Sequence, residues 1–223
     1  MLGVVVPAHN EEQRIAACLR SLKVAAAYAG LCAEPVEIVV TLDDCTDATA
    51  DIVLGFDVSV VTIAARNVGI ARACGAEVAL ASGARWLAFT DADTVVAPDW
   101  LHAQLSLKAD AVCGTVAVAD WQAGDEALRA RHEQMYFDID GHRHIHGANM
   151  GVCALSYRSV GGFQPLPSSE DVALVEALQV HGSSIAWSAA PRVVTSARRE
   201  WRAPGGFGQH LIDLQWRLAE AAA

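Results

Sequence analysis

Along the first 120 residues, short continuous apolar runs alternate with longer stretches in which apolar positions recur every three or four residues. The runs at residues 2–6, 36–42, 58–63, 86–90 and 111–118 predict strands. The stretches at 11–28, 46–54, 68–82 and about 99–108 predict helices. Strands apolar on both faces and separated by helices predict an α/β protein with a mostly parallel sheet and helices on each side. From Trp121 the alternation stops, and a polar segment with aromatic residues and histidines runs to Asn149. A helix at about 170–180, short strands near 185–187 and 192–195 and a last helix over 206–222 follow. Phe207, Leu211, Leu214 and Leu218 line one face of that last helix, a stripe that reads as core rather than membrane anchor. With no repeat, low-complexity tract or linker, the 223 residues read as one domain with two halves, 1–120 and 121–223.

An apolar share of 53% against 19% charged residues excludes a disordered chain. No run reaches the length of a membrane span, and the start at Met1 has neither the charged region nor the cleavage site of a signal peptide. Six cysteines without a C-x-x-C pair, most of them among apolar residues, suit free thiols in a reducing compartment. The expected location is therefore cytoplasmic, with peripheral membrane contact left open. A net charge of −10 argues against nucleic acid as a partner. The charge is uneven: 7 basic residues face 15 acidic ones up to Asp120, and 9 face 11 thereafter. The acidic half suits a metal, and the later arginines suit phosphate.

In an open parallel sheet, ligands bind outside the carboxyl ends of the strands. Four predicted strands end in polar clusters: Pro7-Ala8-His9-Asn10-Glu11, Asp43-Asp44-Cys45-Thr46-Asp47, Arg66-Asn67 and Thr90-Asp91-Ala92-Asp93. Helix capping accounts for some of these: Asn10 with Gln13 forms a capping-box pattern, Asp44 or Thr46 suits the second helix, and Asn67 the third. Caps do not require Arg66 or the paired acids. In an extended segment, Asp91 and Asp93 would share one side about 7 Å apart, as hard oxygen ligands for Mg²⁺ or Mn²⁺ on a diphosphate. Turn chemistry also supplies Asp-x-Asp.

Glu170-Asp171 opens the helix at 170–180. These acids complement the helix dipole, and a carboxylate placed there can also serve as a general base. His142, His144 and His146 alternate without a structural zinc spacing; one of them, with Asn149 nearby, is a candidate substrate contact. The chain lacks a glycine-rich phosphate loop and a G-x-S-x-G elbow, which disfavours dehydrogenase, P-loop and acyl-hydrolase chemistry.

Taken in order, Val5-Val6-Pro7-Ala8-His9-Asn10-Glu11-Glu12, Asp43-Asp44-Cys45-Thr46-Asp47, Arg66-Asn67-Val68-Gly69-Ile70-Ala71-Arg72, Asp91-Ala92-Asp93, Gly161-Gly162-Phe163 and Glu170-Asp171-Val172-Ala173-Leu174 resemble the family 2 glycosyltransferases. Thr195-Ser196-Ala197-Arg198-Arg199 is similar to the ending of some small members. The resemblance covers nearly the whole chain. It implies a GT-A fold: a Rossmann-like, mostly parallel sheet with helices on both faces, a nucleotide-sugar-binding half at 1–120 and a small C-terminal acceptor lobe.

A nucleotide-sugar donor is implied, most often a uridine diphosphate sugar, with an unidentified hydroxyl acceptor. Pro7, Ala8, His9 and Glu11 would border the nucleoside, with His9 where an aromatic residue is common. Asp43, beside Asp44, would accept from the uracil imide, and Arg66 would lie near base or phosphate. Asp91 would reach ribose or metal, and Asp93 would ligate Mg²⁺ or Mn²⁺. Asp171 would be the catalytic base, with Glu170 positioning it. His146, Asn149, Arg198 and Arg199 are the candidate acceptor or phosphate contacts. The implied reaction is direct displacement with inversion, and the absent Q-x-x-R-W motif favours transfer of single sugars. The competing readings are an inactive binding module and a nucleotidyltransferase.

Overall fold

The computed structural model describes residues 1–121 and 125–196. The helix expected at 206–222 lies outside them. The first strands match the apolar runs: β1 (Leu2–Ala8), β2 (Val36–Asp43), β3 (Ser59–Ile63) and β4 (Trp86–Phe89) lie parallel. The intervening helices are α1 (Ile15–Ala26), α2 (Thr49–Leu54) and α3 (Val68–Ala81). Then follow β5 (Val95–Val96), α4 (Trp100–Ser106), β6 (Ala111–Gly114), β7 (Ala117–Ala119), α5 (Glu126–Met135), β8 (Met150–Cys153) and α6 (Ala154–Ser159). The described part closes with α7 (Glu170–His181), β9 (Ile185–Ser188) and β10 (Val193–Ser196).

The central sheet runs β3-β2-β1-β4-β8-β6-β9, and a small second sheet runs β5-β10-β7. The chain works outward from β1 to β3 and then returns to place β4 on the other side of β1. Strand order therefore reverses between β1 and β4, where such sheets open a ligand crevice.

The strands alternate between two cores. Val4, Val6, Ile38 and Val40 face Ile15, Leu19 and Leu22 of α1 and Trp100 and Leu101 of α4. Val5, Val39, Leu87 and Phe89 face Ala76, Ala79 and Leu80 of α3 and Leu174, Val175 and Leu178 of α7. Each buried Val, Leu, Ile or Phe among them contributes roughly 1.5–3 kcal/mol by leaving water. Helix α3 lies unusually close to the sheet. A Cβ on Gly75 would stand 2.6 Å from Val5 Cγ1, and one on Gly3 would stand 2.6 Å from Ala79 Cβ.

Three departures from the sequence pattern matter for the site. The helix expected from Glu11 begins at Ile15, because Asn10 takes a left-handed φ of 55° and its carboxamide oxygen accepts the Thr46 and Asp47 amides. The run at 111–118 splits, with β6 staying in the main sheet and β7 joining the small one. Strand β8, too short to show a period, runs antiparallel to both β4 and β6. Its first residue, Met150, pairs with Phe89 at the carboxyl end of β4, so residues 146–149 arrive at the same edge as the strand ends.

Gly3→Ala tests the close seat of α3 at the end of β1 remote from that edge. It is expected to cost about 1–3 kcal/mol in urea unfolding and to leave nucleotide affinity unchanged by titration calorimetry.

Candidate active site

The carboxyl ends of β1 and β2 are stitched together by their own polar residues. His9 Nδ1 lies 2.6 Å from the Asp43 carbonyl oxygen, and Cys45 Sγ–H donates to Ala8 O at 3.3 Å. Glu11, buried, donates its backbone N–H to Thr49 Oγ1 at 2.6 Å. Asp43 is also buried; its carboxylate accepts the backbone N–H groups of Ala65 at 2.7 Å, Arg66 at 2.8 Å and Asn67 at 2.8 Å. Those three bonds shape the turn that carries Arg66, whose guanidinium Nε donates to Asp44 Oδ2. Asn67 caps α3, accepting Ile70 N–H at 2.9 Å, and its amide donates to Leu166 O at 2.8 Å. The cap predicted from sequence at Asn67 is therefore present. Asn10 caps no helix, and neither Asp44 nor Thr46 caps α2: the residue at its cap position is Ala48, with no side-chain cap bond.

Asp91, Ala92 and Asp93 do not continue β4 as an extended segment. Thr94 N–H donates to Asp91 O at 3.1 Å and closes a turn, so the two carboxylates are held by different partners. Asp93 Oδ1 accepts from Thr195 Oγ1 at 3.3 Å, which ties the turn to β10. Asp91 Oδ1 accepts from Arg72 Nη2 at 2.6 Å. Below the turn, the Cys18 thiol donates to Asp91 O at 3.4 Å; burial, with Asp93, Asp91 and Glu11 nearby, pushes that thiol far up, so it stays protonated.

Arg72 carries the arrangement across to α7. It is 3% exposed, and its other terminal nitrogen, Nη1, donates to Glu170 Oε1. Burial alone would lower its pKa, but Asp91, Glu170 and Asp171 outweigh it and hold the guanidinium above its ordinary value. Burial pushes the Glu170 carboxyl up, with Asp171 adding to that and Arg72 opposing it. Asp171 accepts Gly147 N–H at Oδ2 (2.8 Å) and Val172 N–H at Oδ1 (2.8 Å). Each oxygen keeps a lone pair, the requirement for accepting a proton. Sequence reasoning quoted Arg72 within a motif but gave it no role.

His146 stands beside Gly147, its Nε2 3.0 Å from the Tyr136 hydroxyl, which in turn accepts Val116 N–H at 2.7 Å. Burial, then His144 and His142, holds the His146 pKa down at about 4. The alternating histidines stack instead of converging. Tyr136 and His144 lie 4.2 Å apart, His142 and His144 5.4 Å, and His144 and His146 5.9 Å, all nearly parallel. Among the described residues, no group of three or more His, Cys, Asp or Glu side chains could hold a metal ion by itself. Asp91 and Asp93 still suit Mg²⁺ or Mn²⁺, which bind through one or two carboxylates and leave other positions to water and phosphate.

Asn149, expected as an acceptor contact, is corrected by the structure. It is fully buried, donating to Thr115 O at 2.7 Å and Pro191 O at 2.8 Å and accepting from Trp100 Nε1 at 2.8 Å. Both amide hydrogens are spent, and the residue ties β8 to the strand ends around it. Arg198 and Arg199 lie outside the described residues.

The sequence model of glycosyl transferase family 2 matches residues 3–159. The chain belongs to glycosyl transferase family 2. No curated protein matches it. Among solved structures, S. aureus TarS 1-349 in complex with UDP-GlcNAc is similar with a TM-score of 0.68 at 15% identity, over 92% of this chain and 61% of that one. The same TarS segment in complex with UDP gives 0.67 at 17% identity, over 88% and 60%. S. aureus TarS gives 0.67 at 16% identity, over 87% and 36%. The chain thus spans about 60% of the TarS segment it matches, and at these identities the likeness shows the shared fold. No helix among the described residues is long and apolar enough to cross a membrane.

Two measurements check the site's construction. Asn149→Ala leaves the Trp100 indole and two carbonyls unpaired and is expected to cost about 3 kcal/mol or more in urea unfolding. His146 titrates lower in the folded than in the unfolded chain, so the unfolded chain takes up the proton first. Stability is then expected to fall as pH drops from about 6.5 to about 4. His146→Gln should flatten that slope in pH-dependent urea melts.

Proposed function

We propose that the protein is a metal-dependent, inverting, non-processive glycosyltransferase that moves a sugar from a uridine diphosphate sugar to an acceptor hydroxyl. One observation carries the reading. In a chain of glycosyl transferase family 2, the Asp91 carboxylate at the end of β4 and the Glu170-Asp171 pair at the start of α7 meet across one buried guanidinium. The UDP and UDP-GlcNAc bound by the similar TarS structures support the choice of donor.

The crevice between β1 and β4 takes the nucleotide. Pro7, Ala8 and His9 form its wall, and the turn braced by Asp43 presents Arg66 and Asp44 at the rim. Asp91 and Asp93 would hold Mg²⁺ or Mn²⁺, which when bound supplies charge stabilisation to the departing diphosphate. Asp171 accepts the proton of the acceptor hydroxyl on a carboxylate oxygen. The hydroxyl oxygen then bonds to the anomeric carbon from the face opposite the diphosphate, whose bond to that carbon breaks, giving inversion. Glu170, tied to Arg72, fixes the start of α7, and the Gly147 N–H aims Asp171. The acceptor approaches along the Tyr136–His144–His146 side, which Gly147 joins to the base.

Titration calorimetry with UDP and with UDP-GlcNAc, with and without Mn²⁺, tests the donor site. Binding is expected to need the metal and to be lost in Asp93→Ala. Asp171→Asn should keep the UDP dissociation constant within a few-fold while lowering the rate of UDP release from UDP-GlcNAc by at least about 10²-fold. Equal turnover in wild type and Asp171→Asn would remove the base assignment. Binding without any release of UDP would make the protein a nucleotide-sugar-binding module.

A further inference from the structure

Buried ion pairs are often replaceable by apolar side chains without loss of stability, so their presence calls for a reason beyond folding. The Arg72 cluster supplies one in the choice of its partners. The two carboxylates it meets are Asp91, at the end of β4, and Glu170, the first residue of α7. They come from the two sides of the candidate site, 79 residues apart along the chain, and stand 19 and 98 residues from Arg72. The Phe163 ring, its centroid 5.7 Å from Arg72 Cζ, backs the group.

The Gly147 backbone closes the remaining side. A Cβ there would stand 2.3 Å from Arg72 Nη2 and 2.4 Å from Cζ and Nη1, so only glycine lets the chain pass the guanidinium. The same residue donates its N–H to Asp171 Oδ2. One planar cation therefore touches the donor-side carboxylate, the neighbour of the base, and the backbone that aims the base. Meanwhile its buried Nε has no hydrogen-bond partner among the described residues. The geometry serves the site's members at the expense of the arginine's own satisfaction.

We propose that Arg72 is a positioning residue that fixes the distance and orientation of Asp171 relative to the donor held at Asp91. The proposal rests on the glycosyltransferase reading. A lysine keeps the charge but presents a single nitrogen on a flexible stem, which cannot span both carboxylates as a planar fork does. Gly147→Ala displaces the guanidinium while leaving every charge in place.

The test compares wild type, Arg72→Lys and Gly147→Ala for UDP affinity by calorimetry with Mn²⁺, for kcat and KM of UDP release from UDP-GlcNAc, and for urea stability. The expected result is a kcat lowered by at least about 10²-fold in folded protein, with the UDP dissociation constant and donor KM within about fivefold of wild type. Turnover that follows only the folded fraction, or an Arg72→Lys variant with wild-type kcat, overturns the proposal. So does failure of both variants to fold, which would make Arg72 a structural residue. Wild-type protein that neither binds UDP nor releases it would overturn the functional reading, and this one with it; the wild-type control separates that failure from the others.

Discussion

A fully desolvated guanidinium is the constraint around which the site is organised. Arg72 sits inside the protein with a carboxylate on each terminal nitrogen. Removing one partner of such a pair typically costs 3–5 kcal/mol, because the other charge is left buried and uncompensated. The position of α7 against α3 is thereby tied to the turn after β4. That tie is strong only if Arg72 is delivered to one place. Asn67 fixes where α3 starts, and the close approaches of Gly3 and Gly75 fix how deeply it lies on β1 and β2. Capping and helix–sheet packing thus determine where the charge stands.

The direction of the strands explains why so many polar groups gather on one edge. Strands β1 to β4 run parallel and bring their ends there. Strand β8 runs the other way and brings its beginning. Gly147 and His146 consequently stand beside Asp171 and Tyr136 rather than at the far side of the sheet. Backbone N–H groups then do much of the orienting, three on Asp43 and two on Asp171, with no flexible side chain involved.

The first half of the chain was legible because its periods are strong: apolar strands filled on both faces, and helices with a clear stripe. The polar clusters at the ends of β1, β2 and β4 were legible for the same reason, since a parallel sheet dictates where strand ends meet. Strand β8 was not, being four residues with no alternation to read, and α5 lies in a stretch whose composition is mostly polar. Arg72 escaped notice because an arginine within a helix ordinarily faces solvent. Its burial depends on Glu170, far along the chain. Asn149 misled in the opposite sense: a polar residue beside a histidine run suggested a ligand contact, whereas its partners are the Trp100 indole and two backbone carbonyls. The extended geometry expected for Asp91 and Asp93 gave way to a turn, which local spacing could not distinguish from a strand continuation.

Between Ala119, where β7 ends, and Met150, where β8 begins, the chain leaves the sheet and returns to it. This excursion carries Tyr136 and the stacked histidines, yet its described residues contribute no strand to either sheet. Residues can be inserted or removed near its outer turns without shifting any strand register. A lineage of such proteins can therefore exchange the surface proposed to meet the acceptor while inheriting the proposed donor crevice unchanged.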